Sequence, residues 1–312
     1  MKSMIYLENA TKLYGSVIGI NDVSADLGPG AYGLLGPNGS GKTTLLHLLT
    51  GQISLTLGDV KLFGANPQRD NKVLDRVGLC TASDLAYTNV TAFQWIRYMA
   101  EVQGIPTSQS IQRTEETLRW VGLGDAMHRS IGGYSRGMKQ RCKLAQSIIH
   151  EPELLLLDEP FAGLDPIARH DITQFLRQWV EQGRSLILAS HILHEVEAIS
   201  NTFLLLCGGR LLAAGSPEEV HRLLTNIPKE ISVRCDQPRV LAERLLREPS
   251  VKSIHFEDAW VRLASTAPLD LFQRLPVWAE ESGLTIHEVR SDEESLQGVF
   301  SMLMKIHRGE IG

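Results

Sequence analysis

Short apolar runs recur along the first two thirds of the chain, and between them apolar residues fall three and four apart. The runs "AYGLL" (31–35), "RVGLC" (76–80), "ELLLLD" (153–158), "SLILAS" (185–190) and "TFLLLC" (202–207) are continuous, as in strands buried on both faces. Such strands alternating with helical patterns predict an α/β domain with a mainly parallel sheet and crossover helices. The interval between "RVGLC" and "ELLLLD" is too long for one crossover and reads as helices and loops. A helical subdomain is therefore expected over residues of about 84–150. Its first helix opens at "TAFQ" (91–94), which has capping-box spacing, and its second is expected from near Ser108 to Val121. A later helix opens at "SPEE" (216–219), where Ser216 caps, Pro217 takes the first helical position and Glu219 closes the box. It is expected to end near Thr225, and "NIPK" (226–229) reads as a linker.

After the linker the period changes. "ISVRC" (231–235) alternates, "PRVLAERLLRE" (238–248) is helical, and "VKSIHFE" (251–257) and "AWVRLAS" (259–265) pair as a hairpin around Asp258. "LDLFQRLPVWAEES" (269–282) reads as a broken helix, "LTIHEV" (284–289) alternates, and "SDEESLQGVFSMLMK" (291–305) is amphipathic. The order βαββαβ plus a last helix is a split-βαβ, ferredoxin-like plan. That last helix can be capped by Ser291 with Glu294, and Leu296, Val299, Phe300 and Leu303 form one apolar stripe that must bury against something. Two domains are expected, 1–225 and 226–312.

Composition narrows the function classes. The 312 residues are 43% hydrophobic and 21% charged with a formal net charge of -5, which gives no general electrostatic reason to bind nucleic acid. Cys80, Cys142, Cys207 and Cys235 lie far apart without a CxxC pair, so neither a zinc site nor a disulfide framework is indicated, and a reducing cytosol fits. The start "MKSMIYLENA" lacks an uninterrupted apolar core, and no apolar run approaches the roughly 18 residues of a spanning helix. The chain is expected not to cross a membrane itself.

Two stretches carry phosphate chemistry. Gly36, Pro37, Asn38, Gly39, Ser40, Gly41, Lys42 and Thr43 fit GxxxxGK[ST], with an apolar strand feeding in and "TTLLHLLTG" leaving as a helix that starts at Thr43 and Thr44. The glycines let successive backbone N–H groups turn inward as an anion nest at a positive helix end. Lys42 then reaches the β and γ phosphates, and Thr43 offers its hydroxyl to magnesium. In "ELLLLDEP", four leucines make a buried strand whose carboxyl end presents Asp158 to magnesium, directly or through water. Glu159 sets a second carboxylate beside the first. That repulsion is reasonable if Glu159 polarises or deprotonates an attacking water. A surface Asp-Glu pair is the plainer alternative, and four preceding leucines with a phosphate loop upstream argue against it.

"YSRGMKQR" (134–141) adds a second anion site. Ser135 can cap a helix whose Met138, Cys142, Ala145 and Ile149 make one apolar stripe, while Gly137 lets a phosphate approach the first-turn N–H groups. With these motifs the chain resembles the ATP-binding-cassette ATPases over residues of about 4–225, and "YSRGMKQR" looks like that family's signature motif. The resemblance implies a cassette fold, ATP and Mg2+ as ligands, and magnesium-dependent ATP hydrolysis. It also implies that Ser135, Arg136, Gly137 and Met138 meet the ATP held by another protomer, so that two ATP molecules are sandwiched in a head-to-tail dimer. "AGLDP" (162–166) resembles the D-loop, whose Asp165 reports the state of the opposite site. His191, at the end of "SLILAS", resembles the switch histidine that touches the γ-phosphate and orients the water. Tyr14 matches the aromatic that stacks on adenine.

One position departs from the pattern. Where relatives carry a Gln, or sometimes a Glu, that senses magnesium and faces the permease, this chain reads "CTASDLAYTNVT" with Ala82 at the expected place. Coupling would then run through Asp84, or through backbone and Tyr87 alone. Phe161, where Thr or Ser is common, is a milder departure. "YSRGMKQR" followed by a C-terminal domain resembles ABC-2 type exporter ATPases, which serve drugs, lipids, polysaccharides or ions. The implied role is the energy-supplying subunit of an exporter, at the cytoplasmic face of the inner or plasma membrane, working with a separate transmembrane permease and a second cassette. Two other classes stand beside it. A soluble cassette ATPase acting on nucleic acid or ribosomes would usually carry two cassettes or a long coiled coil, and this chain has neither. For an ATP-binding regulator, Ala82 is the only hint.

Overall fold

The structure, a computed structural model, describes residues 3–83, 87, 89–216, 219 and 229–291. The chain divides into two compact units, Met1–Ser216 and Pro217–Gly312.

In the first unit the expected strands form one sheet. β3 (Ala31–Leu35), β5 (Val77–Cys80), β6 (Leu154–Asp158), β7 (Ser185–Ser190) and β8 (Phe203–Cys207) run parallel, and β9 (Arg210–Gly215) closes the edge antiparallel in the order β5-β6-β7-β3-β8-β9. All five residues of β6 and all six of β7 are buried, as their continuous apolar runs require. A second sheet is absent from the sequence reading: β1 (Ile5–Tyr14) pairs antiparallel with both β2 (Val17–Leu27) and β4 (Leu57–Leu62). Its register shifts between Leu7 and Ala10 and again beyond Ala10, so alternation is lost just where it would have marked a strand. The helix α1 (Lys42–Leu49) fills the space between the sheets with Leu45, Leu46, Leu48 and Leu49.

The helical subdomain holds α2 (Ala92–Val102), α3 (Thr107–Trp120) and α4 (Arg136–Ile148). The capping box forms both ways, since Thr91 Oγ1 accepts from Gln94 N and Gln94 Oε1 accepts from Thr91 N. Beyond it, α5 (Pro166–Glu181) and α6 (Leu193–Glu197) flank β7 in sequence. The helix expected at 216–225 lies largely outside the described residues.

The second unit forms a four-stranded antiparallel sheet from β10 (Lys229–Cys235), β11 (Val251–Glu257), β12 (Trp260–Ser265) and β13 (Ile286–Ser291), in the order β11-β12-β10-β13. With α7 (Pro238–Leu245) and α8 (Pro268–Ser282), this gives the split-βαβ connection. The hairpin turns at Asp258, whose φ is 54°. The expected break in 269–282 does not occur: α8 runs through Pro276. Leu271, Leu275 and Trp278 bury along one face against Ile231, Val233, Val261 and Leu263, which holds the helix together despite one missing N–H. The amphipathic stretch after Ser291 lies outside the described residues.

Candidate functional site

The sheet order brings the two phosphate motifs together. β6, β7 and β3 are neighbours and parallel, so Asp158 and Glu159, His191 and the loop from Gly36 all emerge at the carboxyl ends of adjacent strands. Thr43 Oγ1 donates to Asp158 Oδ2 at 2.8 Å, joining positions 115 residues apart. Lys42 Nζ donates to the carbonyls of Gly36 at 2.7 Å and Pro37 at 3.1 Å, and lies 3.5 Å from Glu159 Oε1. His191 Nδ1 is 2.9 Å from Glu159 Oε2 and 3.0 Å from Oε1. Glu159 therefore sits between the phosphate-loop lysine and the strand-end histidine. Its backbone is left-handed, φ 47°, and its N–H is tied to Ala189 O at 2.9 Å, a strained conformation of the kind that aims functional side chains.

Burial decides the electrostatics. Asp158 is 4% exposed, and desolvation raises its pKa, with the Thr43 hydrogen bond opposing and the Glu159 charge reinforcing. Lys42, 6% exposed, has its pKa lowered by burial against the attraction of Glu159 and Asp158. Two buried oxygens of this cluster, Asp158 Oδ1 and Ser40 Oγ, have no hydrogen-bond partner. A hard cation with oxygen ligands fits Asp158 Oδ1 and the Thr43 hydroxyl, and a phosphate acceptor fits Ser40.

The loop itself needs its glycines. Gly41 has φ 105°, and a side chain there would run into the Gly19 carbonyl. Asn38 and Gly39 are exposed at the loop's turn. Tyr14, at the end of β1, is 46% exposed. A Cβ at Gly19 would come within 2.8 Å of Tyr14 Cε2 and 2.9 Å of Thr44 Cγ2, so Gly19 gives Tyr14 room beside the start of α1. Lys12 Nζ lies 5.1 Å from the Tyr14 ring centroid.

Ser135 caps α4, accepting from Met138 N at 3.3 Å. A Cβ on Gly137 would meet Ala168 Cβ at 3.0 Å, and the Arg136 guanidinium packs over Gly163. Asp165 Oδ1 accepts from Ala168 N at 2.8 Å and so caps α5. Among the described residues, no hydrogen bond or ion pair joins Ser135–Met138 to Gly36–Thr44.

Sequence reasoning passed over a buried network behind His191. Ser190 Oγ donates to Glu195 Oε2 at 2.7 Å and accepts from Ile192 N at 3.0 Å, fixing the backbone on both sides of His191. Arg169 Nη1 lies 3.3 Å from Glu195 Oε1 and compensates a carboxylate that is 5% exposed. An acid inside the apolar face of α6 was the available signal. Ala82 is exposed and Phe161 is fully buried, 1% exposed. A cleft of about 290 Å³ against Phe63, Arg76 and Arg184 lies at the opposite, amino ends of the strands and shares no residue with the phosphate cluster.

The family described as ABC transporter matches residues 20–162. The bacitracin transport ATP-binding protein BcrA of Enterococcus faecalis is 32% identical over 310 residues, covering 97% of each chain. The Nod factor export ATP-binding protein I of Cupriavidus metallidurans is 32% identical over 247 residues, covering 78% of this chain and 79% of that one. Among solved structures, an ATP-binding subunit of an ABC transporter superposes with a TM-score of 0.65 at 24% identity, over 71% of this chain and 93% of that chain, which supports the fold.

Proposed function

The chain belongs to the ABC transporter family, and from that premise we propose that it is the ATP-hydrolysing subunit of an exporter whose membrane path is formed by a separate permease. The export and transport named for its relatives, bacitracin and Nod factor, support the direction without naming this chain's cargo. No helix among the described residues is long and apolar enough to cross a membrane, consistent with a peripheral subunit at the cytoplasmic face.

Gly36 to Thr44 hold the triphosphate, with Lys42 on the β and γ phosphates and Tyr14 against the base. Thr43 and Asp158, with its unpartnered Oδ1, would hold magnesium, which would supply neutralisation of phosphate charge. Glu159 accepts a proton from the attacking water, and His191, 2.9 Å from it, fixes the orientation of the carboxylate and touches the γ-phosphate. The observation that carries this reading is the convergence of Lys42, Asp158, Glu159 and His191 at the ends of three adjacent strands. The α4 end supports a second copy as partner. Its first turn is capped by Ser135, with Ser135 and Arg136 exposed and Gly137 packed against Ala168, and among the described residues it makes no hydrogen bond or ion pair to its own phosphate loop. The reading gives Ser135, Arg136, Gly137 and Met138 to the ATP of the other protomer, with Asp165 at the seam.

A positioned base contributes about 10²- to 10⁴-fold, so Glu159→Gln should lose at least about a hundredfold in turnover at saturating ATP while nucleotide binding persists. Lys42→Ala should weaken binding itself. Retention of more than about a third of wild-type turnover by Glu159→Gln would remove Glu159 from the role of base.

A further inference from the structure

Ala82 stands beside a cation that does not belong to its own loop. From α4, Lys143 Nζ donates to the carbonyl of Thr81 at 3.0 Å and to that of Ser83 at 3.1 Å, one on either side of Ala82. Two more residues of α4 hold the same neighbourhood. Gln140 Nε2 donates to Cys80 Sγ at 3.5 Å, at the end of β5, and Gln146 Oε1 accepts from Trp95 Nε1 at 2.9 Å, on α2. Gln140, Lys143 and Gln146 follow one another three residues apart, so they make a polar seam along one side of the helix. Trp95 in turn lies 4.9 Å, centroid to centroid, from the exposed ring of Tyr87. The loop after β5 is thus fastened to α4 through its main chain, with a charge-assisted donor at the centre.

The same helix begins at the anion-capable end formed by Ser135 and Gly137. Lys143 lies seven residues beyond Arg136, about 10 Å along the axis at 1.5 Å per residue. A continuous helix of this length moves as one body, so a phosphate drawing in its first turn displaces Lys143 as well. We infer that Lys143 is a positioning residue which passes the engagement of the α4 N-terminus with a phosphate to residues 81–83, so that this loop follows the helix by its backbone although position 82 has no functional side chain. The inference rests on the proposed role of Ser135–Met138.

The native cysteines make a direct test possible. All four are buried, and burial pushes the Cys80 thiol up to about 11 and the Cys142 thiol up to about 12, so Ala82→Cys offers the one reactive site for an environment-sensitive fluorophore. The full chain carrying Ala82→Cys and Glu159→Gln is titrated with ATP and magnesium, following label emission and sedimentation together. The expected result is an emission shift that tracks dimer formation. Lys143→Met, which keeps the stem and loses the donors, should reduce that shift at least about fivefold, with ATP affinity and dimerisation kept within about twofold, and Lys143→Arg should restore it. A shift undiminished in Lys143→Met, or not restored by arginine, overturns the role of Lys143 and leaves the ATP site standing. A parent protein that binds ATP and stays monomeric overturns the role of the α4 end, and the inference with it. Hydrogen exchange of residues 81–83 in the unsubstituted chain gives a second reading whatever the fate of the variants: it should slow with ATP, and unchanged exchange counts against the coupling.

Discussion

Desolvation raises the pKa of Asp158, so the folded chain holds this carboxylate ionised at a cost. A group whose folded pKa lies above its unfolded value favours the fold fully below the unfolded pKa, and that contribution is lost as pH rises through the folded one. At pH 7 ionised Asp158 therefore weighs against the nucleotide-free fold. Asp158→Asn should raise the Tm of the nucleotide-free, magnesium-free protein at pH 7, and the difference should shrink as pH falls through the raised folded pKa of Asp158 and be gone below about 4, the unfolded value. Magnesium-dependent turnover should be lost in the same variant. A lower Tm at pH 7 would contradict the direction given for Asp158. Gly19 gives a second test at this scale, because a methyl there displaces Tyr14. Base–aromatic stacking is worth about 1–3 kcal/mol, so Tyr14→Ala and Gly19→Ala should each weaken ATP binding several-fold or more, measured by titration calorimetry. If Tyr14→Ala binds ATP as tightly as wild type, the base is held elsewhere. What sequence made legible here were residues inside contiguous motifs, Gly36–Thr43, Asp158, Glu159 and His191. Gly19, Glu195 and Lys143 were not legible, because their roles arise from contacts such as Lys143 to Thr81, 62 positions away.

Among the elements, the strands of the parallel sheet announce themselves because both faces are buried, so each reads as an unbroken apolar run. β1 does not, since its buried positions alternate only at Ile5 and Leu7, then skip the exposed Glu8 and Asn9 and fall together at Ala10 and Thr11, where the register shifts. The missing sheet and the legible one thus differ in how many faces they bury and in how regular their pairing is. Caps were more transparent, since Thr91 and Gln94 satisfy one another within four residues. Thr91→Ala leaves the Gln94 N–H without that acceptor and should destabilise the chain by about 1 kcal/mol in urea unfolding, with little effect on ATP affinity. A change in affinity without a change in stability would mean that Thr91 serves the site rather than α2. The continuous course of α8 carries the complementary lesson: Pro276 signals a break locally, but three large buried side chains outweigh one lost hydrogen bond.

For the whole molecule, each unit has its own buried core, one built on the two sheets around α1 and the other on Ile231, Val233, Val261 and Trp278. A chain ending at residue 225 should therefore fold and bind ATP, as circular dichroism and nucleotide titration would show, and a truncated chain that fails to fold would contradict the independence of the units. The larger claim is that two chains share each catalytic site. The direct measurement uses mixed dimers, isolated through two different tags, of Lys42→Ala with Ser135→Glu. The glutamate suits the first turn of α4 electrostatically while repelling a phosphate, so it disables the signature end without unfolding the helix. If the phosphate loop of one chain works with Ser135 of the other, each mixed dimer has one intact site of two and should recover up to about half of wild-type turnover, although neither variant turns over alone. Turnover no higher than that of the separate variants would mean that the site lies within a single chain.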